Sequence, residues 1–314
     1  MKRAAGVPPS VLLGTASKRP LLQQQQGPLH HLQASSCRRG AATTSTAPPP
    51  PPSEEGQKHY APLVIPLRFY FDYKSPFSFL AKDEIYALEQ EFAPHLRVEW
   101  LPFAFDVEHS FGLPQSRTTL HWNKVKYAYL DARRFANARS PPVTLKGPKR
   151  VFDSSLAMMA GLYCLQYDQQ QRGSLQPPLP SAPKEDPKRT TTFRCYTDVV
   201  FERFFKHELD LEDLSSLKQI LLLARNESDR HQLNDKTEVE EWVEQGFEAF
   251  ALKAEENGLS KGGRALERIR RQAVEEEGVF GVPSMVAGGE LFFGNDRMDW
   301  LRRKLQQQLL ALRC

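Results

Sequence analysis

The sequence predicts an α/β fold in which a strand–helix–strand half and a strand–strand–helix half are separated by an inserted helical domain. Three observations predict it. Residues 67–73 (LRFYFDY) have the aromatic composition of a buried strand and run straight into Ser75-Pro76, a helix start. Residues 117–277 carry helical spacing nearly throughout. Gly281-Val282-Pro283-Ser284 then opens two short apolar runs around Gly288-Gly289, and a last helical segment closes the chain.

Taken in order, the first strand is 67–73. Serine is a favoured N-cap and proline fits the first helical position, so a helix starts at Ser75-Pro76 and runs to about Phe92, with Leu80, Ile85, Leu88 and Phe92 near helical spacing. Residues 96–103 (LRVEWLPF) read as a second strand. Helices are expected at 119–137, 154–168, 193–206, 211–224, 236–256 and 261–276, interrupted by a Pro-rich surface loop at 174–188. Residues 284–287 and 290–293 form a hairpin, and 296–312 the final helix. This order is the thioredoxin layout with an α-helical domain in its middle. The expected parts are a leader at 1–57, a thioredoxin-like domain from 63–114 and 278–314, and a helical insert at 115–277.

Composition sets limits. The chain has 314 residues, 40% of them hydrophobic and 25% charged, which suits a globular protein of one or two domains. Its longest aliphatic run, Ile220-Leu221-Leu222-Leu223-Ala224, falls far short of the roughly 20 apolar residues a membrane span needs. No acidic residue precedes Glu54, whereas Lys2, Arg3, Lys18, Arg19, Arg38 and Arg39 do, so the net charge of +4 hides a slightly acidic remainder. That balance argues against a nucleic-acid partner. The leader holds a glutamine run and five consecutive prolines at 48–52, and such a composition buries no core. Being Arg-bearing, Ser-rich and almost free of acids, it reads as a mitochondrial transit peptide, with a silent tail as the alternative. The expected location is therefore the mitochondrial matrix, or the cytoplasm if the tail carries no address. Cys37, Cys164, Cys195 and Cys314 are far apart in sequence and read as isolated reduced thiols, and no metal-ligand spacing is present.

Three places carry candidate chemistry. In a thioredoxin layout a Cys-x-x-Cys pair would sit at the first strand-to-helix junction, but here the positions are Ser75 and Ser78, so disulfide exchange is excluded there. A helix N-terminus with free N–H groups remains, and a thiolate could rest on it with Ser75 as hydrogen-bond donor. Equally, Ser75 could be an N-cap and nothing more. Val282-Pro283, after a glycine-bearing turn, is either a cis bond whose backbone can pair with an extended peptide or an ordinary trans turn. Asn295 can cap the last helix, whose first-turn N–H groups could take a carboxylate, and Asp296 could pair with an α-amino group.

FYFDYKSPFSFLA (residues 69–81) and GVFGVPSMVAGGELFFGNDRMDWL (278–301) resemble the 2-hydroxychromene-2-carboxylate isomerases and kappa-class glutathione transferases, and Lys124, Tyr127 and Asp131 resemble that family's Lys-x-x-Tyr helix. The resemblance implies a DsbA-like thioredoxin fold, glutathione as cofactor, a small electrophile or isomerisable substrate, and a homodimer. It implies a thiolate-stabilising role for Ser75, and glutathione contacts for Pro76, Phe77, Lys124, Val282, Pro283, Asn295 and Asp296. Leu113 stands where kappa enzymes carry an asparagine, which implies one polar contact fewer. The function expected is therefore that of a glutathione-dependent transferase or isomerase. The alternative is a non-catalytic thiol- or peptide-binding module.

Overall fold

The computed structural model describes residues 64–173, 191–228, 236–255 and 258–312. The chain divides into two units, Met1–Gln57 and Lys58–Cys314, and the described residues belong to the second. The leader, Cys37, the Pro-rich stretch at 174–188 and Cys314 lie outside them.

The elements follow the order β1 (Ile65–Phe71), α1 (Pro76–Glu91), β2 (Leu96–Pro102), α2 (Val107–Phe111), α3 (Thr119–Ala138), α4 (Ser155–Gly173), α5 (Thr192–Lys206) and α6 (Leu214–Ser228). Next come α7 (Lys236–Glu241), a π-helical stretch (Trp242–Phe247), α8 (Glu248–Ala251), α9 (Lys261–Arg271) and a second π stretch (Gln272–Glu276). β3 (Ser284–Ala287), β4 (Glu290–Phe293), a 3-10 turn (Asn295–Arg297) and α10 (Met298–Ala311) complete the chain. The sheet order is β2-β1-β3-β4, with β1 parallel to β2 and antiparallel to β3, and β3 antiparallel to β4. This is the α/β thioredoxin-like architecture with a helical insertion that the sequence predicts.

Local chemistry accounts for the boundaries. Period-2 alternation sends Leu67, Phe69 and Phe71 to one face of β1 and Arg68 and Tyr70 to the other. Phe69 sits opposite Trp100 of β2, the rings edge-to-face at 4.9 Å. The strand ends two residues earlier than expected, because the Asp72 carboxylate accepts the N–H groups of Lys74 and Phe105 and turns the chain out of the sheet. The fourth helix expected in the insert starts later than its apolar spacing suggests. Asp213 accepts the Ser215 and Ser216 N–H groups, which fixes the start of α6. The β3–β4 turn places Gly288 and Gly289 at φ of 57° and 76°, the two positive angles of a type I′ turn. The short helix α2 has no counterpart in the expected elements, and the two π stretches fall within the helices expected at 236–256 and 261–276.

One apolar core runs through the sheet half and the helical insert alike. Phe201 of α5 lies 5.0 Å from Tyr73, 5.5 Å from Phe79 and 6.3 Å from Phe71, measured between ring centroids. The Tyr73 hydroxyl pairs with Thr197 Oγ1 of α5 at 3.0 Å. Gly161 lets α4 approach that ring, since a Cβ there would stand 2.6 Å from the Tyr73 oxygen. A second, smaller core on the other face packs Tyr70, Phe103 and Val286 against Ile269 and Ala273. Arg225 of α6 is buried with its guanidinium 3.7 Å from the Tyr167 ring centroid, and Trp242 lies on the same group. No helix among the described residues is long and apolar enough to cross a membrane.

Candidate functional site

Strand register gathers the three candidate motifs. Phe71 is opposite Pro102, Tyr70 opposite Ser284, and Ser284 opposite Phe293. The chain therefore leaves β1 at Asp72, leaves β2 at Phe103, enters β3 from Pro283 and leaves β4 at Gly294, all at one end of the sheet. The Gly294 N–H donates to the Pro283 carbonyl at 2.9 Å, and the Asn295–Arg297 turn packs against α1. Segments far apart in sequence thus meet around the α1 N-terminus.

Ser75 is the N-cap of α1, with φ −87° and ψ 117°, and Pro76 occupies the first helical position. The Ser75 Oγ accepts the Ser78 N–H at 3.2 Å, so its own hydroxyl hydrogen is available to an acceptor outside the helix. Pro76 has no N–H, and the Phe79 N–H goes to the Ser75 carbonyl at 3.1 Å. The Phe77 N–H enters none of the described hydrogen bonds, and with the helix dipole behind it forms an anion-favouring end. Phe77 itself is half-buried against the core. Ser78 is buried and its Oγ accepts the Asp72 N–H at 3.4 Å, so the second serine is part of the frame.

Under this turn lies a buried ion pair that no local sequence signal announces. Asp72 has no exposure, and its Oδ2 is 3.2 Å from Lys74 Nζ. That ammonium also donates to Ser154 Oγ at 3.2 Å, and Ser154 lies immediately before α4. Asp72 and Lys74 stand inside the quoted motif, but a partner contributed by a serine eighty residues later leaves no local signal. Burial pushes the hydroxyls of Tyr73 and of Tyr129, on α3, well above the usual tyrosine range, so both stay neutral beside Asp72.

The Val282–Pro283 bond is cis. Val282 is buried and its N–H enters none of the described hydrogen bonds. Asn295 does not cap the last helix: it lies inside the 3-10 turn, and neither that turn nor α10 has a side-chain cap. The 3-10 turn moves the helix start to Met298, beyond the reach of the asparagine. Asp296 is half-exposed and pairs with Arg297 at 2.8 Å. Gly294 precedes it at φ 104°, where a Cβ would stand 2.6 Å from Asp296 Oδ1. Gly294→Ala is expected to cost about 1–3 kcal/mol through backbone strain and to push the Asp296 carboxylate outward. Urea unfolding of the variant measures that cost, and an unchanged midpoint would mean the turn relaxes freely. Lys124 lies on the exposed side of α3, and none of the described contacts joins it to these four loops. Leu113 is exposed in the loop before α3. Cys164 and Cys195 are buried and form no disulfide, with the Cys164 thiol pushed up by burial, and neither belongs to the site. Among the described residues no cluster of three or more ligating side chains could hold a metal.

Fold and junction together define a thioredoxin-fold protein with serines at the redox positions. The DSBA-like thioredoxin domain matches residues 66–176 and 251–306, more than half the chain, and the chain belongs to that family. It is 26% identical over 245 residues to the 2-hydroxychromene-2-carboxylate isomerase of Pseudomonas sp. (strain C18), covering 76% of this chain and 89% of that protein. Among solved structures it is similar to a 2-hydroxychromene-2-carboxylate isomerase (18% identity, TM-score 0.48, 78% of this chain and 96% of that one). It is also similar to the cytosolic disulfide reductase DsbM from Pseudomonas aeruginosa (13% identity, TM-score 0.44, 78% and 99%).

Proposed function

We propose that this chain is a glutathione-dependent enzyme of the isomerase or transferase type, acting on a small molecule. The observation that carries the reading is the Ser75 turn. A hydroxyl with its hydrogen free sits at a helix N-terminus, beside a free Phe77 N–H, where disulfide chemistry has no cysteine to use. The similarity to 2-hydroxychromene-2-carboxylate isomerase favours isomerisation over transfer.

The donor set suits an extended thiol peptide. Ser75 and the Phe77 N–H would face its sulfur, the Val282 backbone its main chain, and Asn295 and Asp296 its γ-glutamyl end. Asp296 would then exchange Arg297 for an α-amino group, at small cost because the existing pair is half-exposed. Glutathione supplies a sulfur nucleophile. The protein's part is to hold that sulfur deprotonated and aimed. Lys124, exposed on α3, would add a contact from that helix. A homodimer and a matrix location, addressed by the acid-poor leader, complete the proposal.

Calorimetric titration of the chain with glutathione between pH 6 and 9, beside Ser75→Ala, tests it. The reading requires binding with proton release that weakens in the variant. Absence of binding at millimolar glutathione would overturn it. Binding that Ser75→Ala leaves unchanged, together with no turnover of 2-hydroxychromene-2-carboxylate, would leave a thiol-binding module.

A further inference from the structure

We propose that Lys74 is a positioning residue of the Ser75 site: its ammonium neutralises the buried Asp72 carboxylate, which would otherwise oppose an anionic sulfur at the α1 N-terminus. The inference rests on the thiol reading above and concerns how this chain makes such a site electrically tolerable.

Asp72 cannot be moved away from the junction. Its carboxylate accepts the Lys74 N–H and the Phe105 N–H, each at 3.0 Å, and its carbonyl accepts the Ser75 N–H at 3.0 Å. It is thus the peg that joins the loop bearing Ser75 to the loop after β2. A fully buried carboxylate three residues before Ser75 has a consequence, since a nearby like charge disfavours ionisation of its neighbour. Water cannot screen it, because Asp72 has no exposure.

The groups that face it settle which one supplies the counter-charge. Tyr73, on the same turn, gives its hydroxyl to a pair with Thr197, and burial keeps it neutral. Tyr129, from α3, is likewise held neutral by burial. Arg117, from the loop before α3, acts on Tyr129, and its Nε donates to the carbonyls of Phe111 and Gly112. Ser154 from the insert is uncharged and accepts from Lys74. Lys74 is the cation in contact with the carboxylate, at 3.2 Å, its side chain only 14% exposed. Its two partners come from opposite halves of the molecule, Asp72 from the end of β1 and Ser154 from the start of α4. Docking of the insert on the sheet therefore fixes the ammonium where the carboxylate needs it.

The test is an ultraviolet titration of thiolate absorbance on the full chain loaded with glutathione, comparing Lys74→Met, Lys74→Arg and the double variant Asp72→Asn/Lys74→Met. Thermal melting monitored by circular dichroism accompanies each. Lys74→Met is expected to move the titration midpoint of the bound thiol upward by about one pH unit, a tenfold loss of thiolate below the midpoint. Lys74→Arg is expected to keep the midpoint, because it keeps the charge, and the double variant to restore it by removing both charges. If Lys74→Met does not fold, the double variant carries the comparison: its midpoint should match the unsubstituted chain, and a midpoint displaced upward would overturn the inference. A Lys74→Met midpoint equal to that of the unsubstituted chain would overturn it while leaving the thiol reading intact. Failure of the unsubstituted chain to bind glutathione would overturn both.

Discussion

Ser75→Ala is expected to lower turnover at neutral pH by about 10- to 100-fold and to return part of it as the pH rises. A hydroxyl hydrogen bond to a charged acceptor is worth about 1.5–3 kcal/mol, and the α1 dipole adds about 0.3–1 kcal/mol that survives the substitution. At about 1.4 kcal/mol per pKa unit, losing the hydroxyl raises the bound thiol's pKa by roughly 1–2 units. The sign follows. On the proposed function, a thiol depressed by Ser75 would be ionised at neutral pH in the parent, whereas in the variant bulk solvent would have to remove the proton, so activity would climb through the higher pKa. Ser75 also caps α1, and an alanine there costs about 1 kcal/mol of stability, whereas glycine costs only a few tenths. Ser75→Gly therefore separates the two roles. The pH–rate profile of Ser75→Gly with 2-hydroxychromene-2-carboxylate should match that of Ser75→Ala, while its urea midpoint should match the parent. A glycine variant with parental activity would leave Ser75 as a cap alone.

Phe201→Ala is expected to destabilise the folded unit by about 3–5 kcal/mol, the range for deleting a buried aromatic ring. Against a typical domain stability of about 5–15 kcal/mol, that is a large share. The ring is fully buried and touches Tyr73, Phe79 and Phe71, so it joins α5 to β1, to α1 and to the turn between them. Its loss opens a cavity where insert and sheet meet. The expected result is a single urea transition at lower concentration, with Phe201→Leu falling between the two because it fills part of the space. Glutathione affinity should drop with Phe201→Ala, because Tyr73 and Phe79 flank the Ser75 turn. Two separate transitions, or a cost below about 1 kcal/mol, would show that insert and sheet do not share one core.

Elements whose own residues dictate them were legible in the sequence. The Ser75-Pro76 helix start, the Gly288-Gly289 hairpin and the aromatic first strand all appear where local chemistry puts them. Boundaries set by distant partners were not. Asp72 leaves the strand because Phe105 donates to it, and nothing near residue 72 announces residue 105. Asn295 has every local quality of a helix cap, yet the 3-10 turn it occupies moves the helix start past it. The π stretches at 242–247 and 272–276 keep helical composition and change only the hydrogen-bond register, which spacing cannot resolve. The site followed the same rule. Ser75, Val282 and Asp296 stand out by motif, whereas Lys74 acquires its meaning only when Ser154 closes on it.

The sheet order has a consequence for how the chain is made. The central pairing, β1 with β3, joins Tyr70 to Ser284, so the entire insert must leave the ribosome before the middle of the sheet can close. Until then one edge of an aromatic-rich strand stands open, a template for pairing with other chains. Pairings this remote in sequence fold slowly, because the entropy of closing so large a loop is lost before contacts repay it. The insert helices, dominated by local contacts, should form first and shelter Phe71 and Tyr73 through Phe193 and Phe201. A nascent chain stopped before β3 should therefore be helical, compact and dependent on chaperones, and synthesis of the β3–β4 hairpin would release it.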